Sequence, residues 1–571
     1  MLKEPQEKLD SLDKKIVHLQ DVLRGFISQR DAIRSYVDQH RAIISHFRRL
    51  PADVIREIFI QCLPTNHYPV RSITQAPLLL TRICRFWREI AISTPQLWNI
   101  IHVHIPQLVA EVDLEAHLSL IHKRKDGVER WLKRSGTLPI SLSFSVDARP
   151  LFYFDTSHHA QHNMTRARRM EHTMAFVAML FQFASRWKLI SFRVPLSVLI
   201  ATSSQIVGPR TDIAPRLEFF ELDIVSDNAF GEEPQFGSTH AINAGNEINR
   251  FPAVRRIRVY NDMQSPLLLL LTWHNLVEVV FHPLNGIPPI QALKILSMTC
   301  QNLEKCSMSI RVPWGTNDRG DILIELPKLR ILRLAFYKHL HQDPDLNLLQ
   351  HSDLRDFFQQ IHAPSLTELS VVARFAVDMP EVPFLSFLGR SSLHLKTLRI
   401  NIPLAEQTLI QCLRLCPSIS VLSVTELQPP TEYPWDTRDA IPPTISAAIM
   451  RNLTPANSPD YPLLCPRLEN LCFRNCATRD VRSMLALVTS RWRQSCDDVA
   501  RLKAFSVSFK HDIGGDYVEE IDVLRKEGLR IQWVHEKRHQ AMDSPDHGMM
   551  YHEDPRDLDP IKVEGLDTDW I

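Results

Sequence analysis

At 571 residues the chain exceeds one ordinary compact core and implies two or more modules, or one extended array. Lys and Arg (66) nearly balance Asp and Glu (65), so a net charge of +1 gives no overall pull toward nucleic acid or an anionic membrane. The hydrophobic content of 44% fits a folded protein, the longest aliphatic run (Leu267–Leu271) is too short to span a bilayer, and ten cysteines are too sparse for a disulfide scaffold.

The first residues, MLKEPQEKLD, are charged and lack an apolar signal core, so a cytoplasmic or nuclear protein is expected. Residues 1–49 read as one coiled-coil-like helix. Leu9, Leu12, Ile16, Leu19, Leu23, Phe26, Ile33, Val37, Ile44 and Phe47 follow alternating steps of three and four, with Arg30 and His40 as the polar members of the series. This pattern fits a homodimer through residues 9–47, and equally a helix folded back on its own chain. Gly25 and the two polar positions weigh against a long parallel dimer.

Leu50-Pro51 opens the next element, because proline fits a first helical turn where its missing N–H is not needed. Val54, Ile55, Ile58, Phe59 and Leu63 then recur at helical spacing. A second helix carries Leu80, Ile83, Cys84, Trp87, Ile90 and Ala91, Ser93-Thr94-Pro95 ends it, and Leu97-Trp98 adds a last apolar anchor. So short a unit buries little surface, so its apolar residues are expected to serve both a small core and a face for a partner. Leu50-Pro51, Ile55, Ile58, Phe59, Leu63, Cys84-Arg85-Phe86-Trp87 and Leu97-Trp98 together resemble the F-box, in the form common in large fungal F-box families. The resemblance covers residues 50–101. It implies docking on a Skp-type adaptor, and through it on a cullin–RING ubiquitin ligase, by way of Leu50, Pro51, Ile55, Ile58, Phe59, Leu63, Trp87 and Trp98.

Residues 102–137 are expected to hold a linking helix, and Leu138–Val146 (LPISLSFSV) to be the first strand of a repeat array over 138–535. A phrase (C/A/L)-P-x-L-x-x-L-x-Φ begins at Ala214, Leu326, Ala363, Cys416 and Cys465, with looser copies from Leu189, Val254, Leu276, Leu303, Leu395 and Leu502. Helical patterns such as Ala405–Leu415 and Arg479–Trp492 separate the copies. One strand and one helix per unit is the pattern of leucine-rich repeats, kept here irregularly and without a regular turn asparagine. The expected fold class is α/β: an N-terminal helical part (coiled coil plus F-box helices) followed by an irregular leucine-rich-repeat α/β solenoid. Asp223–Asn249 and Gln428–Pro466 read as loop-like insertions, and His158–His172 as a surface loop.

In such an array the polar positions between apolar strand residues line one face, making Glu221, Arg258, Arg333, Arg399 and Arg474 candidates for contact with a target protein. Glu278, Ser370, Ser423 and Ser506 belong to the same set. Their mixed charge favours a protein over a phosphate backbone. Cys412/Cys416 and Cys472/Cys476 share a C-x3-C spacing, but Cys300, Cys416 and Cys465 sit just before repeat anchors and read as packing, so neither metal nor cofactor is expected. No Gly-rich phosphate loop, H-E-x-x-H, G-x-S-x-G or Walker lysine is present, and no enzymatic activity of the chain itself is expected. Residues 536–571 form an acidic tail expected to be disordered, in which Lys562 sits in a Φ-K-x-E match for attachment of a small ubiquitin-like modifier. The expected function is substrate recognition for a Skp/cullin/F-box-type ubiquitin ligase; the alternative is a non-ligase scaffold that self-associates and binds the adaptor.

Overall fold

The computed structural model describes residues 3–44, 50–106, 114–146, 159–195, 198, 213–225, 251–260, 273–283, 286–312, 323–338, 357–373, 381–426, 444–455, 463–478, 480–493, 498–509 and 517–535. Its contacts divide the chain into two compact units, Met1–Ile101 with Arg134–Gly136, and His102–Lys133 with Thr137–Ile571. Residues 536–571, Lys562 among them, lie outside the described residues.

The first unit is helical. A long helix, α1 (Lys3–Ile44), is followed by α2 (Ala52–Gln61), α3 (Leu80–Ile83) and α4 (Arg85–Ile92), and then by a single 3-10 turn at Pro95–Leu97. Pro51 stands at the N-cap of α2 with Asp53 in the first turn, where a negative charge meets the positive end of the helix dipole. Cys84 caps α4 by accepting the Trp87 N–H on its Sγ at 3.4 Å. At the other end Thr94 Oγ1 donates to the Ile90 carbonyl at 2.7 Å, which closes the helix just before Pro95.

The second unit is mixed α/β, built on one 14-stranded sheet. The strands are β1 (Ile100–Ile105), β2 (Ile140–Val146), β3 (Trp187–Pro195), β4 (Phe219–Val225), β5 (Arg256–Tyr260), β6 (Glu278–His282), β7 (Lys305–Val312), β8 (Ile324–Glu325), β9 (Ile331–Lys338), β10 (Ile361–His362), β11 (Glu368–Ala373), β12 (Thr397–Asn401), β13 (Val421–Thr425), β14 (Asn470–Cys476), β15 (Ala504–Phe509) and β16 (Arg530–His535). Apart from β8 and β10, which pair with each other, spatial order equals chain order, and every recorded pairing from β2 to β16 is parallel. Right-handed crossovers repeated in one direction carry the connecting segments to the same side of a sheet, leaving the other side free of them.

The repeated phrase has a definite geometry. In Ala214-Pro-Arg-Leu217, Leu326-Pro-Lys-Leu329, Ala363-Pro-Ser-Leu366, Cys416-Pro-Ser-Ile419 and Cys465-Pro-Arg-Leu468, the first carbonyl accepts the fourth residue's N–H at 3.1–3.3 Å. Proline presets φ at the second position of such a turn, and the fourth side chain is delivered into the core. Leu217, Leu329, Leu366, Ile419 and Leu468 are all fully buried. Three residues later, in the strand, the core row runs in register through Leu142, Ile190, Phe220, Ile257, Val279, Cys306, Leu332, Leu369, Leu398, Leu422, Leu471, Phe505 and Ile531. Buried faces of the connecting helices supply the other half of this core, for instance Leu409, Cys412 and Leu413 of Glu406–Leu415 and Met484, Leu487 and Val488 of Val481–Trp492.

Several sequence expectations need correction. A strand, β1, precedes the one expected at Leu138–Val146, and IIHVHI was too short a run to separate from the preceding apolar anchor. Within residues 102–137 that strand comes first and is followed by the helix Leu114–Arg134. The histidine-rich segment read as a surface loop opens the helix His159–Phe181, whose later turns bury Phe176, Val177, Met179 and Leu180. The proline-punctuated insertion contains the helix Ala447–Leu453, capped by Ser446 Oγ on the Ala448 and Ile449 N–H groups. In β3 the buried anchor is Trp187, while Leu189 is only half-buried.

Candidate functional site

Two surfaces, one in each unit, hold the residues singled out from the sequence. In the helical unit Ile55 and Phe59 (each 1% exposed), Leu80, Ile90, Ala91, Leu97 and Trp98 form the core. Phe59 and Trp87 pack with ring centroids 5.0 Å apart. The Trp98 Nε1–H donates to the Ala91 carbonyl at 2.8 Å, and the Arg134 guanidinium lies 4.6 Å above the Trp98 ring. Ile55, Phe59 and Trp98 are therefore core residues, not an open contact face, which corrects the assignment of all eight positions to partner binding. Leu50, Ile58, Leu63 and Trp87 are half-buried and Pro51 is exposed.

The apolar side chains that this unit leaves in solvent were not in the expected set. Within residues 50–101 they are Val54 on α2 (43% exposed), Ile73 in the connection to α3 (57%), Leu79 and Ile83 (40% and 54%), and Phe86 and Ile92 on α4 (45% and 40%). α4 packs on both α2 and α3, so these residues belong to neighbouring elements. The signal that could have found them is phase: Val54 adjoins core Ile55, and Phe86 precedes Trp87, each one step off the buried stripe.

The second surface is the sheet face opposite the apolar rows. In register, one row reads Ser143, Ser191, Glu221, Arg258, Val280, Ser307, Arg333, Ser370, Arg399, Ser423, Cys472, Ser506 and Gln532. Glu221, Arg258, Arg333 and Arg399 thus share one row, with Ser370, Ser423 and Ser506. Glu278 lies in the row two residues before it and Arg474 in the row two after, beside a bulge in which Asn475 takes φ 53°.

Most of these charges are already paired across strands. Arg193 Nε lies 3.5 Å from Asp223, Arg258 Nη2 donates to Glu278 at 2.7 Å, and Glu368 accepts from both Arg333 (2.9 Å) and Arg399 (3.2 Å). Burial works against the Arg258 charge, but the Glu278 hydrogen bond and carboxylate, with Tyr260 and Glu221 nearby, hold its pKa above the usual arginine value. Arg474 is half-exposed and makes no ion pair among the described residues. His282, absent from the sequence reading, is buried between two serines, with Nδ1 2.6 Å from Ser309 Oγ and Nε2 2.9 Å from Ser307 Oγ, and it stacks on Tyr260 at 6.2 Å. At the N-terminal edge His102 and His104 reach Ser143 and Ser145 at 3.0 and 2.8 Å.

The shared carboxylate makes a prediction. Glu368→Ala leaves two half-buried guanidiniums without their common acceptor and should cost about 2 kcal/mol, while Glu368→Gln should cost less. Chemical denaturation of both variants checks this, and a loss-free Glu368→Ala would show that the three groups do not act as a unit.

Cys306, Cys416 and Cys465 are buried, and burial pushes each thiol up to about 12, so they are protonated packing groups at neutral pH. Among the described residues no group of three or more His, Cys, Asp or Glu could hold a metal ion, and no helix is long and apolar enough to cross a membrane. Neither a family model nor a curated protein sequence matches the chain.

Proposed function

We propose that the chain is the substrate-recognition subunit of a Skp/cullin/F-box-type ubiquitin ligase, working in the cytoplasm or nucleus. Residues 50–101 serve as the F-box and dock on the Skp-type adaptor, and the parallel sheet serves as an irregular leucine-rich-repeat solenoid whose polar face holds a target protein. The observation that carries this reading is the split within residues 50–101. Ile55, Phe59, Leu97 and Trp98 satisfy the unit's own core, yet Val54, Leu79, Ile83 and Phe86 remain in solvent on neighbouring elements. A small helical unit gains stability when a partner desolvates such side chains. The chemistry then belongs to other subunits, and this chain contributes proximity by raising the effective concentration of the target's lysines at the charged conjugating enzyme.

On the polar face the internally paired charges hold the surface in shape, while Glu221, Arg474 and the serine rows supply adaptable contacts. A second reading, a self-associating scaffold that binds the adaptor without delivering targets, draws on the exposed apolar face of α1.

The test is adaptor capture by the full chain carrying Val54→Asp, Ile83→Asp and Phe86→Asp. Each buried anchor lost should cost about 2 kcal/mol, so capture should disappear. Helical content and thermal unfolding should stay as in the wild type, because none of the three side chains supports the core. A folded triple variant that still captures the adaptor overturns the reading. Adaptor-dependent ubiquitination of a bound protein separates the ligase subunit from the scaffold.

A further inference from the structure

From Leu9 to Val37 α1 places its apolar seam in solvent. Leu9, Leu12, Ile16, Leu19, Leu23, Phe26, Ile33 and Val37 are 38–66% exposed, and every described side chain from Ser11 to Asp38 is exposed. Contiguous apolar stripes of this length are rare on a free surface. From Leu9 to Val37 the helix rises about 42 Å, and seam and flanking residues together give about twenty residues a side, the scale of a stable interface.

We propose that the occupant is a second copy of α1 running antiparallel, aligned so that Leu12 faces Val37, Ile16 faces Ile33, Leu19 faces Arg30 and Leu23 faces Phe26. Charge decides both direction and alignment. In a parallel pair the seam arginine would face its own copy at Arg30. Asp31 holds the Arg30 guanidinium at 2.7 Å within its own chain but leaves the stem and charge in that layer. The antiparallel alignment moves the two Arg30 about 16 Å apart along the axis.

Asp13 and Arg34 occupy the same flanking position of the heptad, are exposed, and make no ion pair among the described residues. In this alignment Asp13 of each copy lies within about 3 Å, along the axis, of Arg34 of the other, so two-fold symmetry supplies the pair twice. Sliding by one heptad in one direction puts Asp13 beside Ile27. Sliding in the other brings the two Arg30 to about 6 Å along the axis. This proposal is independent of whether residues 50–101 bind an adaptor.

The test measures the mass of the full chain by light scattering and sedimentation over a dilution series. The wild type should be dimeric at micromolar concentration, and Ile16→Glu with Leu23→Glu should be monomeric with the rest still folded. Arg34→Asp turns two attractions into two repulsions and should weaken the dimer about tenfold. Asp13→Arg with Arg34→Asp should restore it, since the swapped charges meet again only in this alignment. Circular dichroism should not distinguish these chains from the wild type as monomers, because the side chains changed are exposed on α1. A monomeric wild type, a double swap no better than Arg34→Asp alone, or an undiminished dimer in Lys8→Asp with Asp13→Lys, which sets Lys against Arg34 in this alignment but is neutral in a parallel pair, overturns the proposal.

Discussion

Arg491→Ala should destabilise the sheet unit by about 3–5 kcal/mol, among the largest single effects in the chain. Arg491 is fully buried on the helix Val481–Trp492. Its guanidinium donates to three carbonyls, those of Leu453 (2.6 Å), Leu464 (2.8 Å) and Cys465 (3.1 Å). The first is the last residue of the helix Ala447–Leu453, where carbonyls have no partner within the helix. Cys465 stands at φ 48°, a left-handed conformation unusual for a side-chain-bearing residue, at the turn that leads into β14. Arg491 thus ties a helix end and a strained turn to the next helix. Burial pulls its pKa down to about 10, still far above neutrality, so the charge persists and the three carbonyls are its compensation. Arg491→Lys keeps the charge without the planar fork and should also lose stability, whereas Arg491→Met should fall between lysine and alanine if volume matters most. Urea denaturation of the four proteins ranks them, and an Arg491→Ala curve matching the wild type would refute the clamp.

The second large effect is expected at Trp98. Removing a fully buried tryptophan costs about 3–5 kcal/mol. A unit of this size has little stability to lose. Trp98→Ala should therefore melt residues 50–101 while the sheet unit keeps its own transition, which hydrogen exchange resolves region by region. Phe86→Ala on the neighbouring exposed position should leave both transitions in place. If Trp98→Ala and Phe86→Ala behave alike, the division into core and surface residues is wrong.

Much of the sheet was legible because the chain repeats one local solution. A proline turn, a buried leucine and two alternating apolar residues mark each strand, and hydrophobic period does not depend on distant partners. The candidates Glu221, Arg258, Arg333 and Arg399 fell on one face for the same reason. What the sequence concealed was pairing between strands. Glu368 fills a variable position of the repeated phrase, yet it joins Arg333 and Arg399 because parallel register brings three separated segments side by side. In residues 50–101 helical spacing identified apolar positions but not their sides, so core Phe59 and Trp98 were grouped with surface positions. Trp187 escaped as an anchor because no proline turn precedes it, and the helix His159–Phe181 was masked by histidines and arginines in its first turns.

The order of strands also bears on how the chain is made. Every strand of the large sheet pairs only with its predecessor and successor in that sheet, and no contact among the described residues must wait for the two ends of the array to meet. Stacked repeats of this kind can propagate from any formed neighbour. During synthesis, the edge that receives each new strand is complete before that strand leaves the ribosome. The growing edge at any moment is a single strand awaiting its sequence neighbour, which limits the time that edge has for pairing with another chain.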